Sequence, residues 1–505
     1  MRIKNYEDLT SHGNIKGRKI VADIIGAGLD AGNPYNNTRK LMSVKDNKLI
    51  FDHRDMEPDE DPRSGPAIYD LAEIDRIFCF AVGKGILYMV KAVEDVLGDR
   101  LTGGLAVCKH GDDIITSKVI AISGSHPVPD QAGVEGNRKM MEMIASLKLT
   151  ERDLCITAMG NGCSSLACLP ADGITVEDVA YMNQLCLIDN GMPTGDCSYL
   201  RNQIDLFRGG RILRAMRPAR IVNLVGVGPG GARSDFGATP DKRGKVSAYE
   251  LWQRDNLWLP NMADKTTTAE TIEIAKRWRV FDKLPKSIQD KLLSNDPGSD
   301  TLGYEEHESY DMRIFGVMPQ SMSAFQTAIA KAKELGLNTY ILTQGTQCEA
   351  APTGQFVARI ALYQSRSPES FFKKPCAIFI SGELIVTVNN EKGIGGTNQE
   401  FCTAAAINLD GNKRIVIGAV DTDGTDGPGG NFHPDAWAKG IRCLTGGLVD
   451  GYTAAEAREK GVDLFTAVKT HGTSTALWEL KSGIAAVQDI SVGDLHCILI
   501  MDEDG

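Results

Sequence analysis

One local grammar recurs along this chain and limits what it can fold into: a short apolar run, a glycine-rich turn, then a helical pattern. In "RIFCFAVGKGILYMVKAVEDVL" the run from Ile77 to Val82 reads as a buried strand, and Ile86, Met89, Val90, Val93 and Leu97 then share one helical face. The same succession appears in "DLCITAMGNGCSSLACLP", "NTYILTQGTQCEAAPTGQFVARIALY" and "RIVIGAVDTDGTDGPGG", while "KVIAISGSHPVPD" ends a strand in a proline-stiffened loop. Strands alternating with helices predict an α/β fold with Rossmann-like, mostly parallel sheets. In such sheets ligands bind beyond the carboxyl ends of the strands, where each of these loops lies.

A chain of 505 residues is more than one core usually serves, so two domains are expected. The polar, turn-rich stretch 294–311 is the best boundary. It sets an N-terminal domain at 1–295 and a C-terminal domain at 312–505, with the helical stretch 264–293 as a connecting arm and 52–66 as a surface insertion. The formal charge of -11 offers no basic field for nucleic acid. No run approaches a membrane span, and the N-terminus does not read as a signal peptide. The twelve scattered cysteines form no C-x-x-C and read as buried thiols of a reducing cytoplasm, and the histidines lack metal-ligand spacing.

Several loops carry chemistry. In "AVGKGI" Lys84 stands at the mouth of a helix, whose dipole favours anions, so a bound anion between lysine and amides accounts for it better than a solvated side chain. Asn161, Gly162, Ser164 and Ser165 of "MGNGCSSL" make either a phosphate cradle or a helix cap. His126 and Asp130 of "GSHPVPD" either face a ligand or stabilise their turn. Asp421, Asp423 and Asp426 offer hard oxygens suited to Mg²⁺ held with phosphates, or ordinary Asx turns. In "KGIGGTNQEF" Thr397 and Glu400 form a T-x-x-E capping box. That box leaves Gly393, Gly395 and Gly396 unexplained unless another backbone or a ligand comes close. The G-x-G-x-x-G within "VGVGPGGARSDFG" lacks a following helical pattern and is discounted as a dinucleotide fingerprint, and there is no P-loop motif.

In order, "AVGKGI", "GSHPVPDQAG", "NGCSSLACLPADGITVED", "YLRNQIDLFRGGRI", "CEAAPTG", "ISGELIVTV", "GGTNQEF" and "DTDGTDGP" resemble the motifs of the glycerate 2-kinase family of the MOFRL type, sometimes labelled hydroxypyruvate reductase. The resemblance implies two α/β domains with a ligand cleft between them, use of ATP and Mg²⁺, and phosphorylation of glycerate or a related hydroxy acid at a hydroxyl. It implies Lys84 and Arg201 as catalytic cations and Asn161, Gly162, Ser164 and Ser165 around the nucleotide phosphates. His126, Asp130, Gly395, Gly396, Thr397 and Asn398 would meet the substrate, and Asp423, Asp426 and Glu383 the metal. The expected partners are the hydroxy acid and the nucleotide, with a homodimer allowed for.

The sequence also departs from that family. Thr397 stands where the family has an arginine, and "GVGPGG" has lost two aspartates. The stretch around 431–470 reads as an insertion, and Arg208 and Arg211 are offered as replacement cations. The departures motivate two alternatives: another enzyme on the same scaffold (lyase, isomerase or transferase) and a non-catalytic relative.

Overall fold

The computed structural model describes residues 2–126, 128–190, 192–229, 247–294, 300–319, 323–388, 391, 393–409, 411–427, 436, 438–487 and 493–502. The part of the "VGVGPGG" loop beyond Pro229, Lys392, the glycines at 428–430 and the segment 488–492 lie outside the described residues. Two compact units are formed, Pro34–Gln320 and a second that joins Met1–Asn33 to Ser321–Gly505.

The first unit opens with a small antiparallel sheet of β1 (Met42–Lys45), β2 (Lys48–Phe51) and β3 (Ala67–Asp70). Its main sheet contains β4 (Arg76–Val82), β5 (Leu101–Lys109), β6 (Val119–Gly124), β7 (Asp153–Met159), β8 (Arg220–Val225) and β9 (Met312–Gly316). They lie in the order β6-β5-β4-β7-β8-β9 and every pair is parallel. Central strands β4 and β7 are buried along nearly their whole length, which is why their sequences are unbroken apolar runs. The strand order reverses between β4 and β7, and the loops at their carboxyl ends therefore flank the topological switch point of a doubly wound sheet.

The second unit holds β10 (Asn338–Thr346), β11 (Cys376–Gly382), β12 (Ile415–Asp421), β13 (Gly446–Asp450), β14 (Gly483–Ile484) and β15 (Asp494–Ile500), ordered β10-β11-β15-β12-β13-β14. Strands β10, β11, β12 and β14 share one direction, and β13 and β15 run against it. The helix Thr397–Leu409 covers one face, with Phe401, Cys402, Ala405 and Leu409 in a core shared with Ile378, Ile417 and Ile498.

Three boundary expectations are corrected. First, residues 1–33 pack in the second unit. The helix Ile15–Ala31, capped by the Asn14 side chain on Gly17 N (2.8 Å), buries Val21, Ile24, Ile25 and Leu29 against Val416, Val420, Leu448 and Leu499. Second, β9 completes the first sheet, so the chain leaves the first unit after 312–316 and not at 294–311. Third, the stretch 264–293 is no arm: Ala275, Val280, Ile288 and Leu292 sit in the first unit's core. The segment 52–66 is likewise not wholly superficial, since Met56, Glu57 and Asp61 are buried. The described part of 431–470 contributes Ala454, Ala457, Leu464 and Ala467 to the second unit's core, as an integral element would.

Candidate functional site

In the first unit, two turns interlock at the switch point. Gly160 N donates to Val82 O (2.9 Å), Gly83 N to Val107 O (3.0 Å) and Lys84 N to Asn161 O (2.7 Å). A Cβ at Gly83 would lie 2.8 Å from Gly160 Cα, so the two turns meet only as glycines. Gly162 has φ +79°, and a Cβ there would lie 2.8 Å from Lys84 Cγ and 3.1 Å from His126 Cδ2. That glycine therefore brings the lysine stem and the imidazole over the backbone of the second turn.

Positive charge converges on this point. Lys84, Lys109 at the end of β5, and Arg201 from the helix Thr194–Gln203 are all buried, and all three act on His126. Burial, reinforced by those three cations, holds the imidazole well below its ordinary pKa of 6.5, so His126 is neutral at pH 7. Asp112 accepts from Lys109 N (3.1 Å) and Gly85 N (3.4 Å). Its burial pushes the carboxyl up to about 6, against the pull of those amides and of Lys109 and Lys84. Arg201 is 4% exposed and donates through Nε to Asn183 Oδ1 (2.9 Å), while its buried Nη1 has no partner among the described residues. A guanidinium donor left without an acceptor in a buried, cationic setting is suited to an anion. The sequence reading missed Lys109 and Asp112. The signal was there, because Lys109 closes an apolar parallel strand one position over from the lysine turn.

Other predicted residues hold the scaffold. Ser165 Oγ donates to Ser125 O (3.0 Å), tying the cradle to the histidine loop, and Ser164 is half-buried beside it. Asp130 accepts from Gly133 N (2.9 Å), Ser125 N (3.1 Å), Ser125 Oγ (3.1 Å) and His110 Nε2 (2.9 Å), so it caps a helix and fixes its turn. Arg208 and Arg211 are not replacement cations. Arg208 donates to Cys163 O (2.7 Å) and Trp258 O (2.9 Å), and Arg211 to Asn202 O (2.7 Å) and Arg208 O (2.9 Å).

In the second unit the expected Thr397–Glu400 capping box is not formed. Thr397 already lies inside the helix, and Glu400 pairs with His471 Nδ1 (2.7 Å). The cap comes from another loop: Asp426 accepts Asn398 N (3.1 Å) on Oδ1 and Gln399 N (2.9 Å) on Oδ2. Thr397 Oγ1 adds a third donor at 3.1 Å. This close approach accounts for the glycines. A Cβ at Gly396 would lie 2.3 Å from Asp426, at Gly395 2.2 Å from Thr473 Oγ1, and at Gly393 1.9 Å from Thr470 O.

Asn398 then bridges to Asp494 Oδ1 (2.6 Å) and to His496 Nε2 (3.0 Å). Burial raises the Asp494 carboxyl to about 7, with Asp426 and Glu383 pushing the same way. Asp423 Oδ1 accepts Thr425 N (2.8 Å) in an Asx turn, and Glu383 is exposed. Among the described residues, no three His, Cys, Asp or Glu side chains are gathered to hold a metal ion. Asp426, with both oxygens engaged as a cap, does not fit the ligand role predicted for it.

A doubly wound sheet with an anion-suited cluster at its switch point, joined to a mixed α/β unit, defines a two-unit ligand-binding α/β protein. The profile of DUF4147, a domain of unknown function, matches residues 20–226, and that of the MOFRL family matches residues 376–488. Together they span well over half of the chain, which belongs to the family joining these two segments, the MOFRL-type glycerate 2-kinase family. The D-glycerate 2-kinase of Thermotoga maritima is 29% identical over 85% of this chain and 91% of its own length. The glycerate 2-kinase of Pyrococcus horikoshii is 26% identical over 91% of this chain and 92% of its own. The fold is also that of the crystal structure of a glycerate kinase from Thermotoga maritima, with a TM-score of 0.65, 24% identity, and coverage of 96% of this chain and 99% of that one. No helix among the described residues is long and apolar enough to cross a membrane.

Proposed function

We propose that the protein is a phosphotransferase that moves the γ-phosphoryl group of ATP to a hydroxyl of glycerate or a closely related hydroxy acid. The observation that carries this reading is the buried cluster of Lys84, Lys109 and Arg201 around a neutral imidazole at the switch point. Relatives at 26–29% identity over most of the chain are named glycerate 2-kinase, which supports the same chemistry. The substrate oxygen forms a bond to the γ-phosphorus, the bond from that phosphorus to the β-bridging oxygen breaks, and the hydroxyl proton leaves to solvent or a base. Such a transfer depends mainly on positioning and charge compensation, which three converging cations supply. In this reading Lys84 and Arg201 neutralise transferring or carboxylate oxygens, and Asn161, Gly162 and Ser164 border the phosphates. His126, too weakly basic to take a proton near pH 7, serves as a hydrogen-bonding partner.

Among the described residues the carboxylates of the second unit do not gather as a metal cage, so no step is assigned to Mg²⁺ held by this chain; in this reading the ion would come with the nucleotide phosphates. The neutral donors at Asp426, where the sequence has Thr397 in place of an arginine, favour a second reading: a different transferase, lyase or isomerase on a small anionic metabolite.

The test is ADP release over a panel of hydroxy acids, with nucleotide binding followed by thermal shift. Turnover with glycerate or a relative, falling about 100-fold or more in Lys84→Ala, is the expected result. No turnover on any acid and no stabilisation by saturating nucleotide would overturn the kinase reading and leave the second.

A further inference from the structure

We propose that Asp112 is the group that takes the proton from the substrate hydroxyl, through Oδ1, as the phosphoryl group is transferred. The assignment rests on the phosphotransferase reading above and names the base which that reading leaves open.

The placement of Asp112 begins with a local turn. Asp112 N donates to Lys109 O (3.1 Å), so the chain reverses directly after β5 and the carboxyl group folds back over the end of that strand. Oδ2 is then committed, accepting Lys109 N (3.1 Å) and Gly85 N (3.4 Å), the second from the lysine turn after β4. Oδ1 differs: it is shielded from solvent and has no hydrogen-bond partner among the described residues. An ionised oxygen in that condition is costly, and a donor that brings it a proton relieves the cost. The ionisable groups that face it are Lys84 from the β4 turn and Lys109 and Cys108 from β5. Burial favours the protonated carboxyl, while the two amides and the two lysines favour the ionised one. The balance, at about 6, leaves Asp112 mostly ionised at pH 7 yet more basic than an ordinary aspartate, as a general base should be.

The other ionisable groups of the cluster are unsuited to the task. Burial and three cations disfavour a proton on His126. Asp130 has both oxygens engaged, Oδ1 by Gly133 N and Ser125 N and Oδ2 by Ser125 Oγ and His110 Nε2. Burial pushes the thiols of Cys108 and Cys163 up to about 11 and 12, so both already carry their protons at pH 7. Lys84, Lys109 and Arg201 supply positive charge. Asp112 Oδ1 is the unengaged acceptor that remains among the described residues of the cluster. In the step, the substrate oxygen bonds to the γ-phosphorus as its O–H bond breaks and the proton passes to Oδ1. ADP leaves with the electron pair of the broken P–O bond, and Asp112 returns the proton to solvent before the next turnover.

The experiment is initial rates from pH 5 to pH 8, at saturating ATP, Mg²⁺ and glycerate or the hydroxy acid turned over fastest, for wild type and Asp112→Asn. Asparagine keeps one oxygen for the two amides and removes only the basic one. Nucleotide phosphate ionises in the same range but is common to both proteins, so the ratio of their rates reports Asp112. The expected ratio of wild type to variant grows from about 10 at pH 5 to about 100 at pH 8. Equal rates overturn the proposal. So does a ratio that is the same at every pH, since Asp112 would then only hold its turn. A wild type that turns over no acid and is not stabilised by nucleotide removes the kinase reading and this assignment with it, a result distinct from an active wild type indifferent to the substitution. If Asp112→Asn melts below the assay temperature, Asp112→Ser decides by the same ratio.

Discussion

Asp426 shows how a residue's role changes between sequence and space. Its spacing with Asp423 suggests a metal ligand, yet its carboxylate accepts two amides of a helix that begins almost thirty positions earlier in the chain. Asp426→Ala strands those buried amides and should destabilise the protein by about 2–3 kcal/mol in chemical denaturation. Thr397→Ala removes only an auxiliary donor and should stay within about 1 kcal/mol. The opposite ranking would restore Thr397 as the cap. At Gly162 a side chain must tolerate φ +79° and displace Lys84 at 2.8 Å. Gly162→Ala should therefore lower turnover at least about tenfold, measured as initial rates, at a stability loss of about 1–3 kcal/mol from backbone strain.

At the scale of elements, legibility follows the range of the interaction. β4 and the helix Ile86–Leu97 match the sequence reading because strand burial and helical periodicity are written within some twenty consecutive residues. The placement of Ile15–Ala31 was not legible, since what it packs on lies at the other end of the chain: Arg18 and its buried partner Asp450 are 432 residues apart. Ile25→Ala in that helix should cost about 2–5 kcal/mol, and a two-transition melt should show the loss in the second unit. The short helix Cys163–Leu166 belongs to the same lesson. Its sequence suggests a cradle, while its orientation is fixed by Arg208 from a distant segment donating to Cys163 O.

For the whole molecule, burial of ionisable groups sets the pH range of stability. His307 in the first unit and His496 in the second are fully buried, and burial lowers each to about 3. Between pH 6.5 and 3 the unfolded chain binds protons there that the folded chain does not, so stability falls as pH drops through that window. Asp494 works the other way: folded, its carboxyl holds a proton up to about pH 7 that the unfolded chain releases near 3.8, so its contribution is lost as pH rises between those values. In the first unit Asp112, raised to about 6, opposes His307 and His126 below that pH, but two imidazoles outweigh one carboxyl, so its melting temperature should still decline on acidification from pH 7 to pH 5. A melting temperature that rises over that range would contradict neutral buried imidazoles.

The sequence by itself determined the α/β class, the strand-turn-helix units, the lysine turn with its neighbouring Gly/Ser turn, and the ordered motifs shared with a family of known type. All of these are local, carried by hydrophobic period and by glycine's backbone freedom. Only the tertiary structure decided that Lys109 and Arg201 join Lys84 around His126, that Arg208 and Arg211 hold backbone carbonyls, that Asp426 caps the helix beginning at Thr397, and that the first thirty-three residues belong to the last unit. Each depends on which strands become neighbours. Parallel pairing brings together the ends of β4, β5 and β7, which are far apart in sequence, and a polar group's partner is fixed only once those ends meet.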